Sequence, residues 1–177
     1  MPTLANRLTI LRILMAPVIA VLLLYQQAGA AIALFVLAGI TDALDGFFAR
    51  RRGGPTALGM VLDPIADKVL LTSAVVVLTA LKELPKWFAI IVVSRDVFLI
   101  GGALIMYMFI GKMSIPPSYL GKATTLFQIV TVLLAMLDNL FPALRVLVPP
   151  LVRLTLILTA ASGVDYVYRG ARLLSDQ

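Results

Sequence analysis

The chain has 177 residues, of which 61% are hydrophobic and only 14% charged, and its mean hydropathy is +1.03. A soluble domain of this length is nearer half apolar and a quarter charged, so the composition is that of a membrane protein, with residues 1–177 forming one transmembrane domain. The absence of cysteine and histidine excludes disulfides, zinc–thiolate sites, Ser-His-Asp triads and Cys-His pairs, and the +6 net charge is spread singly between apolar runs rather than gathered into a nucleic-acid surface.

A spanning helix needs about 20 mostly apolar residues. Such runs fall near 11–26, 29–50, 59–81, 86–110, 119–138 and 145–169, which predicts an all-α integral membrane fold of about six transmembrane helices. The breaks between them, QQAGA, RRRGGPT, KELPK, GKMSIPPS and DNLFPA, carry turn chemistry. The segment before the first run is expected to form a short amphipathic helix at the membrane interface. Arg7, Arg12, Arg50, Arg51, Arg52, Lys112, Lys122, Arg169 and Arg172 fall on one side of this topology, and Lys82, Lys86 and Arg145 on the other. The positive-inside rule makes the first side cytoplasmic, with both termini inside.

Residues 41–68, TDALDGFFARRRGGPTALGMVLDPIADK, hold four of the nine acidic residues. Asp42 and Asp45 are three apart at the end of one run, and Asp63 and Asp67 four apart at the start of the next. On helices each pair shares a face. A connector of RRRGGPTAL lets the two helices run antiparallel, so the pairs meet near the cytoplasmic surface. Four carboxylates so placed need a counter-ion. Solvated helix-end acids, paired with Arg50, Arg51 and Lys68, are one reading. A divalent ion, or two, is the other, and oxygen ligands select magnesium, calcium or manganese over zinc. Two such ions would clamp a phosphoryl transfer. Gly46, Ala49 and Gly59 form a small-residue face that either packs helices or admits a ligand.

The pattern Asp42-x2-Asp45-Gly46-x2-Ala49-Arg50-x8-Gly59-x3-Asp63-x3-Asp67 resembles the full signature of the CDP-alcohol phosphotransferases. NRLTILR, SRDVFLI, GKATTLFQ and SGVDYVYRG resemble other segments of its phosphatidylglycerophosphate synthase and cardiolipin synthase branch, so the likeness covers nearly the whole chain. The resemblance implies transfer of a phosphatidyl group from CDP-diacylglycerol to an alcohol, with release of CMP, at a paired magnesium or manganese site. It implies Asp42, Asp45, Asp63 and Asp67 as metal ligands and Asp67 as the general base. It places the CDP part of the donor against Asp42, Asp45, Gly46, Ala49, Arg50 and Gly59. A homodimer in a bacterial inner membrane, with the site facing the cytoplasm, is implied in the same way.

Arg95 and Lys122 are the candidates for holding the anionic part of donor or acceptor. Mutual compensation of Arg95 by Asp96, and snorkelling of Lys122, are the structural alternatives, and Gln128 can hydrogen-bond between helices. Phosphatidylglycerophosphate synthases usually carry cations where this chain has Ala103 and Thr124. Those departures and SRDVFLI favour phosphatidylglycerol as acceptor, as in the CMP-forming cardiolipin synthases. SGVDYVYRG favours glycerol 3-phosphate. The rival classes fit less well. Prenyltransferases space their two aspartate motifs widely, aspartyl proteases need Gly-x-Gly-Asp, and a cation transporter or channel needs acids across the bilayer rather than at one face.

Overall fold

A computed structural model describes residues 4–51, 57–110 and 118–175, with side chains described for 9–42, 65–102 and 118–169. Among these residues the chain forms six α-helices and no strand: α1 (Leu4–Leu24), α2 (Ala28–Arg51), α3 (Ala57–Ala80), α4 (Lys86–Ile110), α5 (Tyr119–Asp138) and α6 (Val148–Ser175), the last entered through a 3-10 turn at Pro142–Leu147. The apolar runs in the sequence mark five of these closely. The first helix differs. Among the described residues α1 is continuous from Leu4, with no separate interfacial helix, because no glycine or proline falls between Leu4 and Pro17.

Two helix ends at one end of the bundle are closed by the same device. Gln26 (φ 58°) and Lys82 (φ 65°) take the left-handed conformation. The following amides, Gln27 N and Glu83 N, reach back to Leu22 O at 2.8 Å and Leu78 O at 2.9 Å, capping the last carbonyls of α1 and α3. At the opposite end Ser118 caps α5, its hydroxyl accepting from Gly121 N at 2.9 Å.

The core is a set of helical stripes. Ala16, Ile19 and Leu23 of α1 meet Ala31, Phe35 and Ala38 of α2 and Leu71, Ala74, Val75 and Leu78 of α3, with Phe88, Val92, Val132 and Met136 completing it. Buried alanines on these stripes, Ala16, Ala31, Ala38 and Ala74, allow close packing of the helices. α1 lies against α2 and α3, and α6 against α4 and α5.

The α5–α6 seam is polar. Thr131 and Thr155 share a hydroxyl bond of 2.8 Å, Thr124 donates to Leu158 O at 3.0 Å, and Gln128 Nε2 donates to Thr159 at 3.3 Å. Gln128 is therefore an interhelical bond, as the sequence allowed.

The outer surface is apolar: Phe98, Ile157 and Val164 are 74%, 67% and 71% exposed. Among the described residues, Tyr119–Asp138 and Pro142–Arg169 are long and apolar enough to cross a membrane.

Candidate active site

Two polar constellations lie among the described residues. The first is built at the junction of α1, α2 and α3. The buried stripe of α1 runs back from Ile19 through Ala16 to Arg12, which is only 2% exposed. Arg12 Nη1 donates to Asp67 Oδ1 of α3 at 2.5 Å, and Nη2 forms an ion pair with Asp42 Oδ1 of α2 at 2.7 Å. One guanidinium thus joins the last described side chain of α2 to an acid in the first half of α3. Of the two acidic segments expected to face each other, Asp42 and Asp67 are brought to one guanidinium of α1, which packs against both α2 and α3. Their carboxylates are 43% and 48% exposed, so each keeps a face open to a ligand.

Asp45 and Asp63 are carried on α2 and α3, one turn further along from Asp42 and one turn before Asp67. The side chains at Asp45, Gly46, Ala49, Arg50, Gly59 and Asp63 lie outside the described residues, as does Ala103. Among the described residues no three acidic side chains gather. The donor chemistry of the pair that is described fits a hard divalent cation: carboxylate oxygens only, half-open, and held together at one point.

Two sequence readings change here. Arg12 is not a membrane-flanking charge but a buried counter-ion. Lys68, read as a partner for the four aspartates, forms its described ion pair with Asp96. A helix turns about 100° per residue, so Lys68 faces away from its neighbour Asp67 and reaches Asp96 of α4 instead.

That contact opens the second constellation. Lys68 Nζ lies 2.5 Å from Asp96 Oδ1, and Arg95 Nη1 lies 2.9 Å from the same oxygen. Arg95 Nη2 donates to Ser162 Oγ of α6 at 3.1 Å. Arg95 and Asp96 are both buried, at 8% and 4% exposure. The mutual compensation considered for this pair is present, and it fixes the guanidinium from behind.

Arg95 also lines a cavity of about 530 Å³ together with Lys68, Lys122 and Arg169. Among the described residues that line it only Asp165 is acidic, and Asp165 Oδ1 accepts from Arg169 Nε at 2.9 Å. One wall is apolar, formed by Leu99, Leu126 and Ile129. Two glycines make room here. A methyl group on Gly102 would stand 2.9 Å from Tyr166 Cε1, and one on Gly121 would stand 3.2 Å from Ser118 Oγ and 3.6 Å from Arg95 Nη2. The Tyr166 hydroxyl donates to Leu99 O at 3.2 Å, closing α6 onto α4.

Arg95 and Lys122, singled out in the sequence, are brought to one cavity. Lys68 and Arg169 join them. Thr124 does not: it is buried against α6 and turned away from the cavity, so a side chain at 124 informs on helix packing before it informs on the acceptor.

A second, apolar groove of about 510 Å³ runs past Ala20, Ile65, Val69, Val76, Val93 and Val97, and it too touches Lys68 and Asp96.

Half-exposed carboxylates in one bundle with a cavity lined by cations are the parts of a phosphoryl-transfer site: the acids can hold a metal, the cations a phosphate. The comparisons with known proteins define the class. The family model for CDP-alcohol phosphatidyltransferase matches residues 2–163. "Probable phosphatidylglycerophosphate synthase" of Mycobacterium tuberculosis is 37% identical over 175 residues, covering 96% of this chain and 82% of that protein. "CDP-diacylglycerol--glycerol-3-phosphate 3-phosphatidyltransferase" of Aquifex aeolicus is 31% identical over 173 residues, covering 96% of each. "Cardiolipin synthase (CMP-forming)" of Homo sapiens is 32% identical over 189 residues, covering 96% of this chain and 62% of the human protein. The chain belongs to the CDP-alcohol phosphatidyltransferase family and is an enzyme of that class. Two kinds of name occur among these relatives, phosphatidylglycerophosphate synthase or glycerol-3-phosphate 3-phosphatidyltransferase at 37% and 31% identity and cardiolipin synthase at 32%.

Proposed function

We propose that this enzyme transfers a phosphatidyl group from CDP-diacylglycerol to phosphatidylglycerol, releasing CMP, from a site at the cytoplasmic face of a bacterial inner membrane. The observation that carries the reaction is the pairing of half-open Asp42 and Asp67 across α2 and α3, in one bundle with a cation-lined cavity. Magnesium or manganese, as one or two ions, would be held by Asp42 and Asp67 together with Asp45 and Asp63. When bound it supplies charge neutralisation for the pyrophosphate and for the departing CMP.

The chain's own residues do the rest. Asp67 takes the proton of the acceptor hydroxyl as its oxygen attacks the phosphatidyl phosphorus. The new phosphorus–oxygen bond forms while the bond to CMP breaks, and the proton passes to solvent. Gly46, Ala49, Arg50 and Gly59 would carry the CDP part of the donor, and Arg95 and Lys122 the acceptor phosphate. The apolar groove beside Lys68 suits acyl chains. The exposed apolar surface and the lengths of the six helices support a single domain of six spans, and a membrane homodimer follows from the family resemblance.

Phosphatidylglycerol is favoured because the cavity has an apolar wall beside its cations, as an acyl-bearing phosphodiester requires. Glycerol 3-phosphate is the second reading. Four cations lining one cavity would suit a doubly charged phosphate monoester, and Arg169 stands in for the cations missing from the sequence pattern. Purified enzyme in detergent, given manganese, CDP-diacylglycerol and either acceptor, separates them. Cardiolipin in the lipid extract supports the first reading. Phosphatidylglycerophosphate alone overturns it in favour of the second.

A further inference from the structure

We infer that Arg12 is a positioning residue of the metal site, clamping Asp42 and Asp67 from the buried side so that their exposed faces are turned to the metal. The inference rests on the reading of those two aspartates as metal ligands. Three observations carry it. Arg12 is 2% exposed, whereas the two carboxylates it holds are 43% and 48% exposed, so the guanidinium lies behind them and the accessible side is left to a ligand. It uses separate nitrogens for the two acids, Nη1 at 2.5 Å from Asp67 and Nη2 at 2.7 Å from Asp42, and each acid engages it through Oδ1. Its Nε is buried without a hydrogen-bond partner, and its Nη2 meets Asp42 as an ion pair without hydrogen-bond geometry, so this arginine tolerates an incomplete set of bonds to stand between the two acids.

A fork is what the position needs. Two nitrogens in a fixed plane set the relative orientation of two acids on different helices, and an ammonium, a point charge on a flexible stem, cannot. The same bridge couples α1 to α2 and α3 through the site, so the amino-terminal helix takes part in metal binding without contributing a ligand. Removing the arginine charge would by itself favour a divalent cation. That repulsion is screened by water at half-exposed carboxylates, while losing an outer-shell orienting group typically weakens metal binding about 10- to 100-fold. Orientation is the larger effect.

The test is manganese binding to the full-length enzyme in detergent, read by the electron paramagnetic resonance of free and bound Mn²⁺, without turnover. Arg12→Lys keeps the charge and removes the fork, and is expected to raise the dissociation constant at least about tenfold. Arg12→Gln is expected to weaken binding too, by less, and either variant serves if the other does not fold. Unchanged or tighter binding in the folded variant overturns the clamp; tighter binding in Arg12→Gln would show the arginine competing with the metal. Asp42→Asn and Asp67→Asn separate the two claims. If they bind manganese as the wild type does, the metal reading fails and the clamp with it. If they lose it and the Arg12 variants do not, the clamp alone fails.

Discussion

Two charged regions among the described residues are built with opposite deficits. Where α1, α2 and α3 meet, one buried arginine serves two half-open aspartates, and the signature brings two more acids to the same helices. Between α3, α4, α5 and α6, four cations line a cavity with one acidic lining residue, Asp165. The first region is short of positive charge and the second of negative charge. Asp67 and Lys68, adjacent in sequence, are divided between them by the turn of one helix. On the proposed function a metal would answer the first deficit and a phosphate the second, so that neither region would be complete until donor and acceptor arrive. Charged groups are costly in so apolar a chain, and placing the unbalanced ones where ligands will balance them is consistent with that cost.

Substitutions can break or sharpen this contrast. The largest effect is expected from Asp67→Asn, which removes the proposed base: the rate of CMP release should fall by roughly 10²- to 10⁴-fold. A rate within a few-fold of wild type would show that the acidic region is structural. Asp96→Asn takes the shared carboxylate from Arg95 and Lys68, leaving two cations in a buried setting, at a cost of about 3 kcal/mol. Unfolding in detergent, followed by circular dichroism, measures it.

Lys122→Ala should act on the second region alone. Loss of one charge-assisted contact of about 1.5 kcal/mol raises the acceptor KM about tenfold, with the manganese requirement unmoved. A shifted manganese requirement would mean that the two regions are one. The smallest effect belongs to the seam outside both. Thr155→Val removes the 2.8 Å bond to Thr131 and should cost about 0.6 kcal/mol, with acceptor KM unaffected.

The helices were legible because long apolar runs broken by Pro, Gly and Asn leave few choices of boundary. α5 falls at Tyr119–Asp138, where hydropathy alone places it. The acidic region was legible as a spacing, since helical periodicity converts three- and four-residue intervals into shared faces. Arg12 was not. In a chain with arginines at several helix ends, charge alone assigns it to the membrane surface, and only the packing of α1 shows that its face is the buried one.

The basic cavity was half legible. Arg95 and Lys122 stood out as charges beside apolar runs, whereas Lys68 was read as a partner for the acids and Arg169 as a flanking charge. Their convergence depends on how α3, α4, α5 and α6 pack, which no local pattern encodes. Gly102 and Gly121 carried no signal beyond small size, and their role is visible only against Tyr166 and Arg95. Thr124 shows the converse: a position conspicuous in sequence turns out to face a neighbouring helix.

The most direct test of the account is CMP release from CDP-diacylglycerol and phosphatidylglycerol by enzyme stripped with a chelator and then supplied with graded manganese. The account predicts no release from the stripped enzyme and a rate that rises to saturation as the metal returns. Release at an undiminished rate without the metal would contradict it, because the open aspartates would then have no ion to hold.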